Sequence, residues 1–312
     1  MIEVKTMFQL KKILVPRDFS ACGEEAIPYA LELARRVGAE VHLLFVEVLY
    51  ADAYAPASLT ASSHEALQER LVKDVEEGLR VDCAVERDIA AAPAIVSYAE
   101  EHDIDLVVMG THGRRGLRRL LLGSAAEEVV RTAPCPVFIV RRPETTQGPP
   151  LHPTMLVPVD FSRHARVALR HAKELAPLFD AHLELLHVVE EQLHPAFYNT
   201  GVYSVYDMIP EIEEQAAEEL ERFFHETEGP AVEATFHVRH GHAAHEIVAF
   251  AREREPVLIV MATHGLRGME HFLMGSVAEK VVRLVPAPVF TVKAFGKALV
   301  STPALAEAEA VE

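Results

Sequence analysis

Short apolar runs and helical stripes alternate along this chain. KKILVP (11–16) is an apolar run closed by a proline and reads as a strand. Ala26, Ala30, Leu33 and Val37 then recur at helical spacing, which predicts a helix over 22–37 with Gly38 placed to end it. Further strands are predicted at 41–48, 81–87, 105–110 and 136–142, separated by helices at 63–79, 93–102 and 124–132. DLVVMG (105–110) is apolar without alternation, as in a strand covered on both faces. Alternating strands and helices imply right-handed crossovers and a doubly wound parallel sheet. Ligands in such sheets sit at the carboxyl ends of the strands, so the turns after the first and fourth strands are expected side by side.

The pattern then repeats. KKILVPRDFS (11–20) returns as PTMLVPVDFS (153–162), and VVMGTHGRRGLRRLLLGS (107–124) as IVMATHGLRGMEHFLMGS (259–276). RTAPCPVFIV (131–140) returns as RLVPAPVFTV (283–292). The separation grows from 142 residues (Asp18 to Asp160) to 152 (Gly113 to Gly265), so the second copy holds ten extra residues. They fall in an aromatic-rich stretch, 190–215, read as a loop packed on its neighbouring domain. The expectation is two tandem α/β domains, 1–146 and 147–296, each with a five-stranded doubly wound sheet. The join is rich in proline, glycine and threonine, and an Ala/Glu-rich flexible tail is expected over 297–312.

Composition narrows the partners. Forty-seven acidic against 30 basic residues give a net charge of −17, which repels nucleic acid and anionic membrane surfaces. A bound polyanion must then be small and held by a local site. No apolar run approaches the ~20 residues that span a bilayer, and the first residues lack a signal-peptide pattern. Cys22, Cys83 and Cys135 form no CxxC pair, which favours a reducing, cytoplasmic setting over a disulfide framework.

The strongest chemical signal is Gly110-Thr111-His112-Gly113, nine residues, then Gly123-Ser124. Gly110 ends a strand where a side chain would obstruct a sugar lying on the backbone, and Gly113 frees an N–H to face a phosphate. Gly123 and Ser124 open a helix, whose N-terminal N–H groups favour anions. Arg114, Arg115, Arg118 and Arg119 place positive charge inside this loop of an acidic protein. Solvated arginines and turn-forming glycines are the bland alternative.

VPRDFS, VVMGTHG and the G-x2-G-x9-G-S spacing resemble the ATP-binding branch of the universal stress proteins, and the resemblance covers both copies. It implies strand order 3-2-1-4-5. It also implies that Asp18 contacts the adenosine end of ATP, that Val46 presents backbone to the adenine, and that Met109 and Gly110 flank base and ribose. Gly113, Gly123, Ser124 and Ala125 would hold the phosphates, with Mg²⁺ or Mn²⁺ bridging phosphate oxygens. Pro16, Phe19, His112 and Arg114 complete the candidate set. Its second-copy counterpart is Pro158, Asp160, Val188, Met261, Gly265, Gly275, Ser276 and Val277. There Ala262 replaces the first glycine and the loop keeps only Arg267, beside Glu270 and His271, so the first copy is expected to bind ATP more tightly. The function expected is a nucleotide-dependent sensor or switch in stress response.

An ATPase or phosphotransferase, with His112 and the arginines as candidates, is the alternative; no Walker-type motif and no carboxylate in the first loop favour it. A third reading is an interaction scaffold whose second copy binds no nucleotide. HGHAAH (240–245) offers His240, His242 and His245 as metal ligands, or simply as an exposed polar helix start. The resemblance also implies domain pairing along the fifth strands, PVFIV with PVFTV, and leaves open a homodimer of whole chains.

Overall fold

Strands form where the apolar runs lie. A computed structural model describes residues 8–49, 78–111, 122–141, 153–190, 211–264, 274–293 and 296–300. Residues 63–77 of the predicted helix and 301–312 of the predicted tail, like most of the aromatic-rich insertion, lie outside the described residues. Residues 297–300, expected in the flexible tail, are instead fastened down: Lys297 N donates to Pro134 O, Val300 bridges Phe8, and Leu299 and Val300 are buried. In the first copy the elements are β1 (Lys12–Pro16), α1 (Ala21–Glu24), α2 (Ala26–Val37), β2 (Glu40–Val48), β3 (Val81–Asp88), α3 (Ala91–Glu101), β4 (Leu106–Gly110), α4 (Ser124–Thr132) and β5 (Val137–Val140). The second copy supplies β6 (Thr154–Val159), α5 (Arg163–Phe179), β7 (His182–Val189), α6 (Ile212–Glu226), β8 (Ala234–His240), α7 (Ala243–Arg254), β9 (Leu258–Ala262), α8 (Ser276–Leu284) and β10 (Val289–Val292).

The helix expected over 22–37 is broken in two at Glu25. Pro28 explains the break: it has no N–H to give the carbonyl of Glu24, and its ring crowds that carbonyl. In the second copy Arg170 stands at the matching position, and α5 runs unbroken for 17 residues. Gly38 ends α2 as predicted, at φ +73°, donating its N–H to Ala34 O at 2.8 Å.

The chain divides into two units. Unit 1 holds Met1–Pro143 together with His271–Leu273 and Pro288–Glu312. Its sheet runs β3-β2-β1-β4-β5, all parallel, and so reproduces the order 3-2-1-4-5. β10 then lies antiparallel to β5, with Val289 opposite Ile139, Phe290 opposite Phe138 and Thr291 opposite Val137. Unit 1 therefore carries, beside its five parallel strands, a sixth of opposite direction. Every residue of β5 is buried, so its edge needs a cover, and β10 is equally buried. Unit 2 runs β8-β7-β6-β9, parallel throughout, which matches the first four strands of the first copy. In both units the central strands are solvent-free: Ile13, Leu14, Val107 and Val108 in one, Met155, Leu156, Ile259 and Val260 in the other.

Candidate functional site

β1 and β4 are neighbours, with Ile13 opposite Leu106 and Leu14 opposite Val107, so the turns after them share the switch point. The first is the Asp18-Phe19-Ser20 turn. Asp18 Oδ1 accepts from Ser20 N at 3.0 Å and from Ser20 Oγ at 2.7 Å, and Ser20 Oγ in turn accepts from Gly23 N at 3.0 Å, capping α1. This carboxylate therefore shapes its own turn, whatever else it contacts. Phe19 between them has φ +59°, a left-handed conformation costly for an aromatic residue, and stacks on Phe45 at 5.3 Å. Arg17, buried, pairs with Glu24 and holds its guanidinium 5.4 Å from the Phe19 ring.

The second copy rebuilds the same turn. Asp160 Oδ1 accepts from Ser162 N at 3.1 Å, Ser162 Oγ accepts from Ala165 N at 3.0 Å, and Phe161 has φ +61°. Two phenylalanines held in one strained conformation at matching positions mark a built feature. The surroundings differ. His187 replaces Phe45 beneath Phe161, at 4.4 Å, and Val159 replaces Arg17. His187 donates Nδ1–H to Val159 O at 2.8 Å, which fixes its tautomer, and burial pushes its pKa below the usual range.

The second turn is the glycine loop. Gly123 N donates to Thr111 O at 2.7 Å, which brings the end of β4 to the start of α4. Gly275 N and Thr263 O do the same at 2.8 Å in the second copy. Sequence reasoning passed over these threonines, both 2 % exposed, although THG occurs in both motifs. Gly123 and Gly275 offer no side-chain cap, and Ser124 and Ser276 follow them exposed, with Ala125 and Val277 half-buried. The first turn of each helix thus opens outward at the switch point with its backbone donors. His112, Gly113, Arg114, Arg115, Arg118, Arg119, Gly265, Arg267, Glu270 and His271 lie outside the described residues.

Gly110 has a second reason to be glycine. A Cβ there would sit 2.3 Å from the Cys22 carbonyl oxygen and 3.1 Å from Gly23 Cα, so β4 approaches α1 more closely than a methyl group allows. Cys22 Sγ also lies 3.3 Å from Thr111 Oγ1. In the second copy His164 stands in place of Cys22, its ring 6.3 Å from that of His264, and Ala262 replaces Gly110. The glycine-to-alanine change therefore accompanies a change of helix packing. Met109 and Met261 have buried side chains, while Pro16, Pro158 and Val46 are half-buried at strand ends and Val188 is buried.

The three histidines of HGHAAH face separate carboxylates: His240 meets Glu213 at 3.4 Å, His242 meets Glu190 at 3.9 Å and His245 meets Glu246 at 3.2 Å. Among the described residues no three His, Cys, Asp or Glu side chains gather to hold a metal ion. Gly241 has φ +125°, which favours glycine, and by sheet register it matches Asp88, so the first copy has two residues, Ile89 and Ala90, before its helix where the second has only His242.

The model of the universal stress protein family matches residues 9–141 and again 153–293. The chain belongs to the universal stress protein family, as a tandem member. Universal stress protein MJ0531 of Methanocaldococcus jannaschii is 35% identical over 143 residues, covering 43% of this chain and 84% of that protein. Universal stress protein YxiE of Bacillus subtilis is 34% identical over 144 residues, covering 45% and 97%. Among solved structures, a functionally unknown protein, PA1789, from Pseudomonas aeruginosa covers 92% of this chain and 94% of its own at TM-score 0.69 and 21% identity. A universal stress protein from Archaeoglobus fulgidus covers 92% and 99% at TM-score 0.61 and 24% identity. These structures share the fold of this tandem universal stress protein. No helix among its described residues is long and apolar enough to cross a membrane.

Proposed function

We propose that this tandem universal stress protein binds ATP and acts as a nucleotide-dependent sensor or switch in stress response, with the first repeat (1–146) the stronger site and the second (147–296) the weaker. The observation that carries the reading is the closure of Thr111 O on Gly123 N, which aims the uncapped start of α4 at the switch point beside the Asp18 turn. Backbone donors at a helix start suit a phosphate group. Asp18, Phe19, Val46 and Gly110 lie on the adjoining strand ends and turn, on the side where the resemblance puts the nucleoside. As the resemblance implies, Mg²⁺ or Mn²⁺ would accompany the phosphates, bridging their oxygens. The arginine-rich first loop supports the asymmetry, since the second keeps only Arg267. The antiparallel register of β5 and β10 supports pairing of the two repeats through their fifth strands.

Titration of the full chain with Mg-ATP tests the asymmetry. Gly113→Val is expected to remove the tighter binding phase, and Gly265→Val to leave it in place. Equal losses from both substitutions would contradict an asymmetric pair of sites.

A further inference from the structure

Lys293 follows β10 and belongs to the second repeat by sequence, yet its side chain is buried in unit 1, only 6 % of the residue being exposed. Its Nζ donates to Ala133 O at 2.5 Å and to Val129 O at 3.4 Å. Both carbonyls close the C-terminal end of α4, and that of Ala133 lies beyond the helix's last residue, Thr132, where no further helical turn supplies a donor. The chain behind the lysine is fastened to the same region. Lys297 N donates to Pro134 O at 2.7 Å, and Gly296 passes so close that a Cβ would lie 2.1 Å from that oxygen. Lys297 Nζ reaches Asp105 Oδ1 at 3.0 Å, while Asp105 Oδ2 accepts the N–H groups of Lys11 and Lys12 at 2.9 Å each. Gln9 N donates to Leu299 O at 2.7 Å.

One nine-residue helix thus has a lysine on its C-terminal carbonyls and an outward-facing N-terminus at the proposed anion site. A donor at the last carbonyls and an anion at the first N–H groups both complement the helix dipole, and each favours the same helical alignment. We propose that Lys293 is a positioning residue for the first repeat's phosphate-binding helix, so that the end of the second repeat sets the ligand affinity of the first. The proposal rests on the nucleotide-site reading for its ligand, though not for its mechanical content. Two sites coupled through one element influence each other reciprocally: ligand at Gly123–Ser124 should also tighten the Lys293 end.

The test compares wild type, Lys293→Met and Lys293→Gln as full-length chains, with Mg-ATP titration and amide hydrogen exchange of α4. Lys293→Met is expected to weaken the tighter Mg-ATP phase about tenfold and to speed exchange in α4 while β1 and β2 keep their protection. Lys293→Gln, which retains donors, is expected to recover part of both, and it decides the matter if the methionine variant fails to fold. Unchanged exchange in α4 with unchanged affinity overturns the proposal. Absence of Mg-ATP binding by the wild type defeats the nucleotide reading instead, and α4 exchange then decides alone whether Lys293 holds the helix.

Discussion

Gly110→Ala is expected to destabilise the first repeat by about 3 kcal/mol even with no nucleotide present. The added methyl would lie 2.3 Å from a backbone oxygen, that of Cys22, and 2.8 Å from its carbonyl carbon. A flexible side chain could swing aside, but the Cys22 carbonyl belongs to α1, which Ser20 caps and the Asp18 turn anchors. Relief must therefore come from displacing α1 or bending the end of β4. The reverse change in the second copy, Ala262→Gly, is expected to cost about 1 kcal/mol or less, the ordinary consequence of glycine's freedom in a strand. Urea unfolding of the ligand-free variants checks both. A Gly110→Ala chain of wild-type stability that had lost only nucleotide affinity would mean the glycine serves a sugar alone, as its position in the motif suggests.

The second large effect is on pH. His171 is fully buried in α5, and burial pushes its pKa down from 6.5 to about 4. The unfolded chain therefore binds a proton between pH 6.5 and 4 that the folded chain refuses, so stability is lost as pH falls through that window. The full loss is about 3 kcal/mol, on the order of 1.4 kcal/mol for each tenfold fall in proton affinity. Lys293 acts in the opposite window. Burial lowers its pKa from 10.5 to about 7, and the neighbouring Cys135 thiol, itself pushed up to about 12, does little to restore it. Here too the unfolded chain binds the extra proton, so unit 1 gains stability as pH rises from about 7 toward 10. Denaturant midpoints measured from pH 4 to 10 should rise on both limbs. His171→Leu should flatten the acid limb and Lys293→Met the alkaline one; unaltered limbs would show that these groups titrate normally in the fold.

Much of this architecture was legible because it is local or repeated. Apolar runs located the strands, Gly38 marked a helix end, and the repeat of DFS and THG turns gave two copies of one switch point. What escaped the sequence depends on contacts between distant segments. Pro28 was visible, but its consequence, the break at Glu25, became clear only beside the unbroken α5 with Arg170 in its place. The tight approach of Gly110 to Cys22 joins residues 88 positions apart, and no periodicity reports it. The left-handed Phe19 and Phe161 hide behind a residue type that gives no hint of positive φ. Lys293 reads as a residue following the last strand, and only the antiparallel register of β10 with β5 carries it to the far end of α4.

On the proposed reading, the switch point of the first repeat holds a nucleotide. Mass spectrometry of the small molecules released from full-length protein, purified without added nucleotide, tests it most directly. ATP or ADP is expected at about one per chain, with the bound fraction lost in Gly113→Val and retained in Gly265→Val. Protein that carries no nucleotide and fails to take up Mg-ATP, while folded by circular dichroism, would contradict it.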